Sequence, residues 1–430
     1  MRFSLGVNYW PRRSATAMWQ RFDRGEIAAD FAQIAGLGLD TVRFFIRWDE
    51  FAPLPDSIDR LMLDRLATVV SLAGDAGLQA LPVLFCGHMD GINWLPDWTL
   101  DRRAPRGRFR TFSGTRESPL GIGNMYVGAL LDAQLRFARA AGERIGRHPA
   151  LRAWDIGHEF SNVREPTAAR VKSGEHSQAP ADEATVAQWA RRLTDVLRET
   201  TGAPATAGTY AGDLTADRSV RLGSLCAPFA FASIQADSVS TAVARSRLDP
   251  ELAPFFAMLT AGFSLQPVFV TGFGNPTCPP GKFSALERFP AAGESTPEPI
   301  PSDDPVFATY PCLTEDENAF VCTGTLDRLH ADGRLGALWW CWADYSDEFA
   351  AQPPFDAAPH ARTFGVVRAD GNEKPVAAAL AAFARQARTV LPARDMPAIA
   401  SAYYYRTLPT STRTLYDAFL RFVAERRTPR

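Results

Sequence analysis

The chain has 430 residues, 46% of them hydrophobic and 22% charged, with a formal net charge of −2 at neutral pH. That is ordinary globular composition with material for a large core, and the balanced charge excludes a global electrostatic signal for nucleic acid or an anionic membrane. No apolar run reaches membrane-spanning length and MRFSLGVNYW lacks a signal-peptide core, so the expectation is a cytoplasmic protein, or a mature form whose leader was removed.

In chain order, short β-rich apolar runs alternate with segments of helical period. FSLGVNY (3–9) precedes a helix over 26–37, TVRFFIRW (41–48) one over 58–76, and LQALPVLFC (78–86) one over 127–146. LRAWDIGHE (151–159) precedes 183–201, and PATAGTY (204–210) opens the least clearly marked unit. FAFASIQAD (229–237) precedes 249–262, QPVFVTGFG (266–274) precedes 314–332, and LGALWWCWAD (335–344) precedes 373–390. Near-continuous apolar strands alternating with amphipathic helices argue for a parallel sheet covered by helices, and eight such units predict an α/β fold of the (β/α)8 TIM-barrel type.

No G-x-G-x-x-G follows a strand and no P-loop is present, which weakens nucleotide-binding alternatives. The catalytic domain is expected over 1–391, with a C-terminal extension, 392–430, packing on its outside; Leu415, Phe419, Phe422 and Val423 fall at helical spacing there. Two insertions, 100–124 and 275–311, follow strand ends and read as loops on the active-site face; the arginines of DRRAPRGRFR (101–110) read as a solvated loop. The six cysteines, Cys86, Cys226, Cys278, Cys312, Cys322 and Cys341, form no C-x-x-C pair, so reduced, structural thiols are expected rather than disulfides or zinc ligands.

Polar residues at the C-terminal ends of barrel strands point into the site. Those ends carry Arg43, the run Trp48–Asp49–Glu50, His88 and Asp90, His158 and Glu159, Gln235 and Asp237, Gly272, and Trp339, Trp340, Trp342 and Asp344. Trp94, Trp98, Trp339, Trp340 and Trp342 offer apolar faces suited to the C–H faces of sugar rings, although alternation along a strand turns at least one Trp of WWCW away. Glu159 ends a strand of aromatic and aliphatic residues, surroundings that raise a carboxyl pKa and suit a general acid; the strand-end position favours this over a structural ion pair, for instance with Arg43. His88, Asp90, His158 and Glu159 lack the local spacing of a metal site, and no cofactor is expected.

In this order the stretches GVNYWP, VRFFIRW, LFCGHMDGINWLPDW, AWDIGHE, PVFVTGFG and LGALWWCWADY resemble a clan A glycoside hydrolase, nearest family 5, the cellulase, mannanase and β-mannosidase group. FGVVRADGNEKPVAAAL (364–380) looks like the closing helix region of exo-acting members. The resemblance implies a retaining β-glycosidase on a small-molecule or oligosaccharide substrate, with paired carboxylates. It places the acid/base on Glu159, with His158 where the family has asparagine. It places the nucleophile on Gly272, which has no carboxylate. Gln235 and Asp237 stand where a histidine and a tyrosine are usual. Arg43, His88, Trp94, Trp98, Gln235, Trp340, Trp342 and Asp344 are expected to bind substrate.

Three readings of the departures are open. Gly272 is an engineered removal of the nucleophile; or the barrel is naturally turned to other acid/base chemistry, inverting hydrolysis or a cyclisation, elimination or isomerisation using Glu159, His158 and Asp237; or the protein is an inactive sugar binder.

Overall fold

The computed structural model describes residues 1–163, 182–238, 241–278, 312–357, 359–394 and 400–427. Eight parallel strands form one sheet: β1 Ser4–Tyr9, β2 Thr41–Phe45, β3 Gln79–Val83, β4 Trp154–His158, β5 Ala205–Gly208, β6 Ala232–Gln235, β7 Val268–Phe273 and β8 Gly336–Trp339. They run in chain order from β1 to β5, and from β1 back through β8 and β7 to β6. The remaining gap is bridged where Tyr210 pairs with Gln235: Ala211 N–H donates to Gln235 O at 2.8 Å and Gln235 N–H to Thr209 O at 3.0 Å. The (β/α)8 barrel expected from the eight apolar runs is therefore present.

The helices α1 Arg24–Gly36, α2 Arg60–Asp75, α3 Gly128–Ile145, α4 Glu183–Thr201, α5 Leu252–Ser264, α6 Glu315–Ala331 and α7 Pro375–Ala384 match the expected segments. Their starts follow from capping: Asp23 and Asp59 accept from the first free amides of α1 and α2, and Thr314 with Glu317 closes a reciprocal capping box on α6. The unit after β5 has only two short helices, Gly212–Thr215 and Leu222–Cys226. Two further helices, α8 Ser401–Arg406 and α9 Thr410–Arg427, lie against that unit and α5. This explains why α5 is apolar nearly all round, since a helix covered on both sides has no wet face. Phe419 and Val423 are buried, whereas Phe422 is exposed.

Two expectations need correction. The insertion 100–124 is not a plain loop: His88–Met89, Ile92–Trp94, Arg110–Ser113 and Arg116–Ser118 form a four-stranded sheet, and Leu100–Asp101 pairs with Gly121–Ile122. Aromatic residues anchor it, with Trp94 and Phe112 buried together; of the arginines of 101–110 only Arg110 lies on a strand, and Arg102, Arg103, Arg106 and Arg108 are exposed in the connecting loop as expected. The cysteines are not all reduced: Cys278 and Cys312 form a disulfide, while Cys86, Cys226, Cys322 and Cys341 are buried and free. Spacing hid the pair, because 34 positions separate two cysteines that the bridge Thr277–Leu313 brings together. The rest of the second insertion, 279–311, lies outside the described residues.

Candidate active site

Glu159 follows β4 directly and has φ +45°, a left-handed backbone uncommon for a residue with a side chain. This turns the chain from strand into the short helix Phe160–Val163. The carboxyl is 23% exposed. Its Oε2 accepts from Asn162 Nδ2 at 2.8 Å and lies 3.7 Å from His88 Nε2, while Oε1 lies 4.0 Å from His158 Nε2. Burial pushes its pKa up to about 8, the Asp237 and Asp90 carboxylates add to this, and the Asn162 hydrogen bond partly opposes it. At neutral pH Glu159 holds a proton in a partly open position, the state a general acid requires.

Arg43 does not pair with Glu159. It is fully buried, donates from Nε and Nη2 to Asp155 Oδ2 at 3.0 and 2.7 Å, and donates from Nη1 to Asn8 Oδ1 at 2.7 Å. Gly208 makes room for this: a Cβ there would meet Gly157 O at 2.4 Å and Arg43 Nη2 at 3.0 Å. Arg43 Nη2 also lies 3.2 Å from His158 Nδ1. A guanidinium only donates, so Nδ1 carries the lone pair and the His158 proton sits on Nε2. Burial, then Arg43, holds the His158 pKa well below its ordinary value. His158 is thus a fixed, buried neutral ring, stacked on Trp340 at 5.3 Å with Nε2 4.0 Å from Glu159 Oε1 and no free nitrogen to take up a proton.

Gly272 lies on β7 opposite Gln235, next to a register shift that puts an extra residue in β7. Its backbone would tolerate a side chain, but a Cβ would stand 2.9 Å from Gln235 Oε1, 3.1 Å from its Cγ and 3.3 Å from its Cβ. Gln235 is buried, and its Nε2 is 3.2 Å from His158 Nδ1. The space beside Gly272 is filled by a side chain that also bonds His158.

The remaining residues divide by position. His88 is buried, with Nδ1 2.8 Å from Asn93 Oδ1 and its ring 4.4 Å from Phe109; burial lowers its pKa to about 3, leaving it neutral before Glu159. Asp90, at φ +54°, is held by Tyr345 and Trp340, and burial and Asp237 raise its pKa to about 7. Asp237 is half-buried and acts electrostatically on both Glu159 and Asp90. Trp340 thus joins the cluster with Glu159, His158, His88, Gln235 and Asp237.

Four expected substrate contacts lie elsewhere. Trp94 is buried under Arg47, Trp98 donates its indole N–H to Ala52 O at 2.9 Å and packs on Trp48, and Trp342 is fully buried on the side of Asp30 of α1. Asp344 is paired with Lys374 at 2.7 Å beneath the loop leading to α7. Arg43 acts behind His158 rather than at the surface. Asn162 and Arg218, without a strand-end signal, complete the site with Tyr210, which ends the run PATAGTY: Asn162 Oδ1 accepts from Tyr210 Oη at 2.5 Å and Arg218 Nη1 at 2.8 Å. The sequence trace of Asn162 is local, an asparagine three positions after the glutamate. Among the described residues no group of three or more His, Cys, Asp or Glu is arranged to hold a metal.

No family model and no curated protein matches the chain. Solved structures do. A GH5_18 variant from Streptomyces cattleya in complex with Manβ1-4GlcNAc superposes with TM-score 0.72 at 20% identity, covering 98% of this chain and 92% of that one. A GH5_18 protein from Bifidobacterium longum subsp. longum gives 0.69 at 20%, covering 92% and 81%. An exo-β-1,4-mannosidase from Opitutaceae bacterium strain TAV5 gives 0.66 at 24%, covering 89% of this chain and 59% of that one. The structural neighbours are thus clan A glycoside hydrolases, and the fold shared with them is a glycosidase-like barrel.

Proposed function

We propose that the protein is a glycosidase-fold enzyme acting on a β-linked saccharide, with Glu159 as general acid and no nucleophile on β7. The observation that carries this reading is the packing of Gln235 beside Gly272. Excision of a glutamate leaves a hole; here a buried glutamine fills the place and bonds His158. This supports a native glycine and a site built without the retaining route.

A single displacement remains open to such a site. Glu159 gives its proton to the glycosidic oxygen as the C–O bond breaks. Water adds to the anomeric carbon and its proton passes to Asp237, giving inversion. The lone pair of His158 Nδ1 faces Arg43 and Gln235 and takes no part as a base, which counts against chemistry that shuttles a proton between His158 and Glu159. The sugar class is suggested by neighbours solved with Manβ1-4GlcNAc and GlcNAc.

The test is hydrolysis of Manβ1-4GlcNAc and of aryl β-glycosides, following the first-formed anomer by proton NMR. The expected product is the α-anomer, lost by at least 100-fold in Glu159→Gln. Gly272→Glu alone is expected to add no activity, because Gln235 obstructs it. Strong hydrolysis by Gly272→Glu, a β-anomer first, or no turnover of either substrate by the unmodified protein would each overturn the proposal.

A further inference from the structure

The contacts around Glu159 say more about how its proton is held. We propose that Asn162, clamped by Tyr210 and Arg218, is the positioning residue that keeps Glu159 Oε2 as an acceptor and leaves Oε1 as the oxygen that carries the proton. This deepens the reading of Glu159 as general acid and rests on it.

The amide orientation of Asn162 is fixed from behind. Tyr210 Oη and Arg218 Nη1 both approach Oδ1, at 2.5 and 2.8 Å, and a guanidinium can only donate. The other end of the amide is therefore NH2, and it donates to Glu159 Oε2 at 2.8 Å. The backbone ties the pair further, with Asn162 N–H donating to Glu159 O at 2.8 Å.

A protonated carboxyl has one carbonyl oxygen, the better acceptor, and one hydroxyl oxygen. Asn162 selects Oε2 as the former. His88 Nε2, at 3.7 Å, is beyond hydrogen-bond reach of Oε2 and does not compete for the proton. His158 Nε2, 4.0 Å from Oε1, carries its own proton and is no acceptor. The Oε1 proton is left for whatever enters the mouth.

The groups acting on Glu159 from the other elements are Asp90, Asp237 and Asp213, all of which raise its pKa, and Asn162, which lowers it. Removing Asn162 therefore removes the opposing influence. Tyr210 reports the same clamp from further away, because its hydroxyl touches Asn162 and not Glu159.

The experiment is a carbon-13 NMR titration of glutamate side-chain carboxyls in the intact protein, with Glu159→Gln identifying the Glu159 signal. Asn162→Ala is expected to raise the Glu159 midpoint by about one pH unit, and Tyr210→Phe by a smaller amount in the same direction. In the hydrolysis assay, the basic limb of the kcat profile is expected to move with the titration. Should Asn162→Ala not fold, Tyr210→Phe, which deletes one hydroxyl, carries the test. An unchanged or lowered midpoint in the folded variants overturns the positioning role. A raised midpoint in a protein that hydrolyses nothing upholds the clamp and overturns the glycosidase reading instead.

Discussion

Glu159 lies directly after β4, with its carboxyl partly exposed. A lone glutamate closing an apolar strand is either misplaced or held in a special environment. Its protonated state also makes a stability prediction. Its pKa moves from 4.5 to about 8 on folding, so the native state binds the proton more tightly, and stability falls as pH rises between those values. Glu159→Gln is expected to stabilise the protein at pH 9 by about 2 kcal/mol, below the full linkage value because solvent reaches part of the carboxyl, and to leave it unchanged at pH 4. Urea unfolding at both pH values checks this; equal effects at the two would contradict the raised pKa. The tryptophans show where sequence reading stops. Trp340 and Trp342 share a strand-end stretch, yet one stacks on His158 and the other is buried towards Asp30. A period of two says that side chains alternate, but in a loop beyond the strand it no longer says which face is which.

Among the elements, the strands were legible from their apolar runs and seven of the helices from their period; caps mark only some of them, since α3, α5 and α7 start without a side-chain cap. The fifth unit was not, and its packing shows why. Its outer face is covered by α8 and α9 instead of by a long helix of its own: Tyr404 Oη and Thr412 Oγ1 donate to Leu214 O at 2.6 and 3.1 Å, and Arg221 lies 3.9 Å over the Tyr405 ring. Asp344 was misread for a related reason. A carboxylate past a barrel strand faces the mouth only if nothing binds it first, and Lys374 does. Lys374 Nζ contacts Asp344 Oδ1 at 2.7 Å, Thr277 Oγ1 at 2.9 Å and Thr363 O at 3.0 Å, joining the chain beyond β7, the loop after β8 and the start of α7. Lys374→Met leaves that carboxylate buried without its cation, and is expected to cost about 3 kcal/mol in urea unfolding. A loss below about 1 kcal/mol would mean that the pair contributes little.

For the whole molecule, the disulfide corrects the expectation of reduced thiols: Cys278 and Cys312 close the base of the second insertion. Unfolded without reductant, the protein is expected to show four reactive thiols, and six after reduction. Six before reduction would remove the bridge. Reduction is expected to lower stability by at most about 3–4 kcal/mol, the entropy of a loop of this size.

The last junction of the sheet, between Tyr210 and Gln235, has a consequence for how activity arises as the chain folds. Tyr210 holds the amide behind the acid, and Gln235 fills the place beside Gly272 and bonds the histidine. A partly assembled barrel, open at this one edge, keeps Tyr210 on the side of Asn162 and Gln235 beside Gly272, but lacks the bond from Gln235 to His158, which crosses the junction. Refolding followed by activity is therefore expected to lag behind refolding followed by far-ultraviolet circular dichroism, since long-range closure comes after local structure.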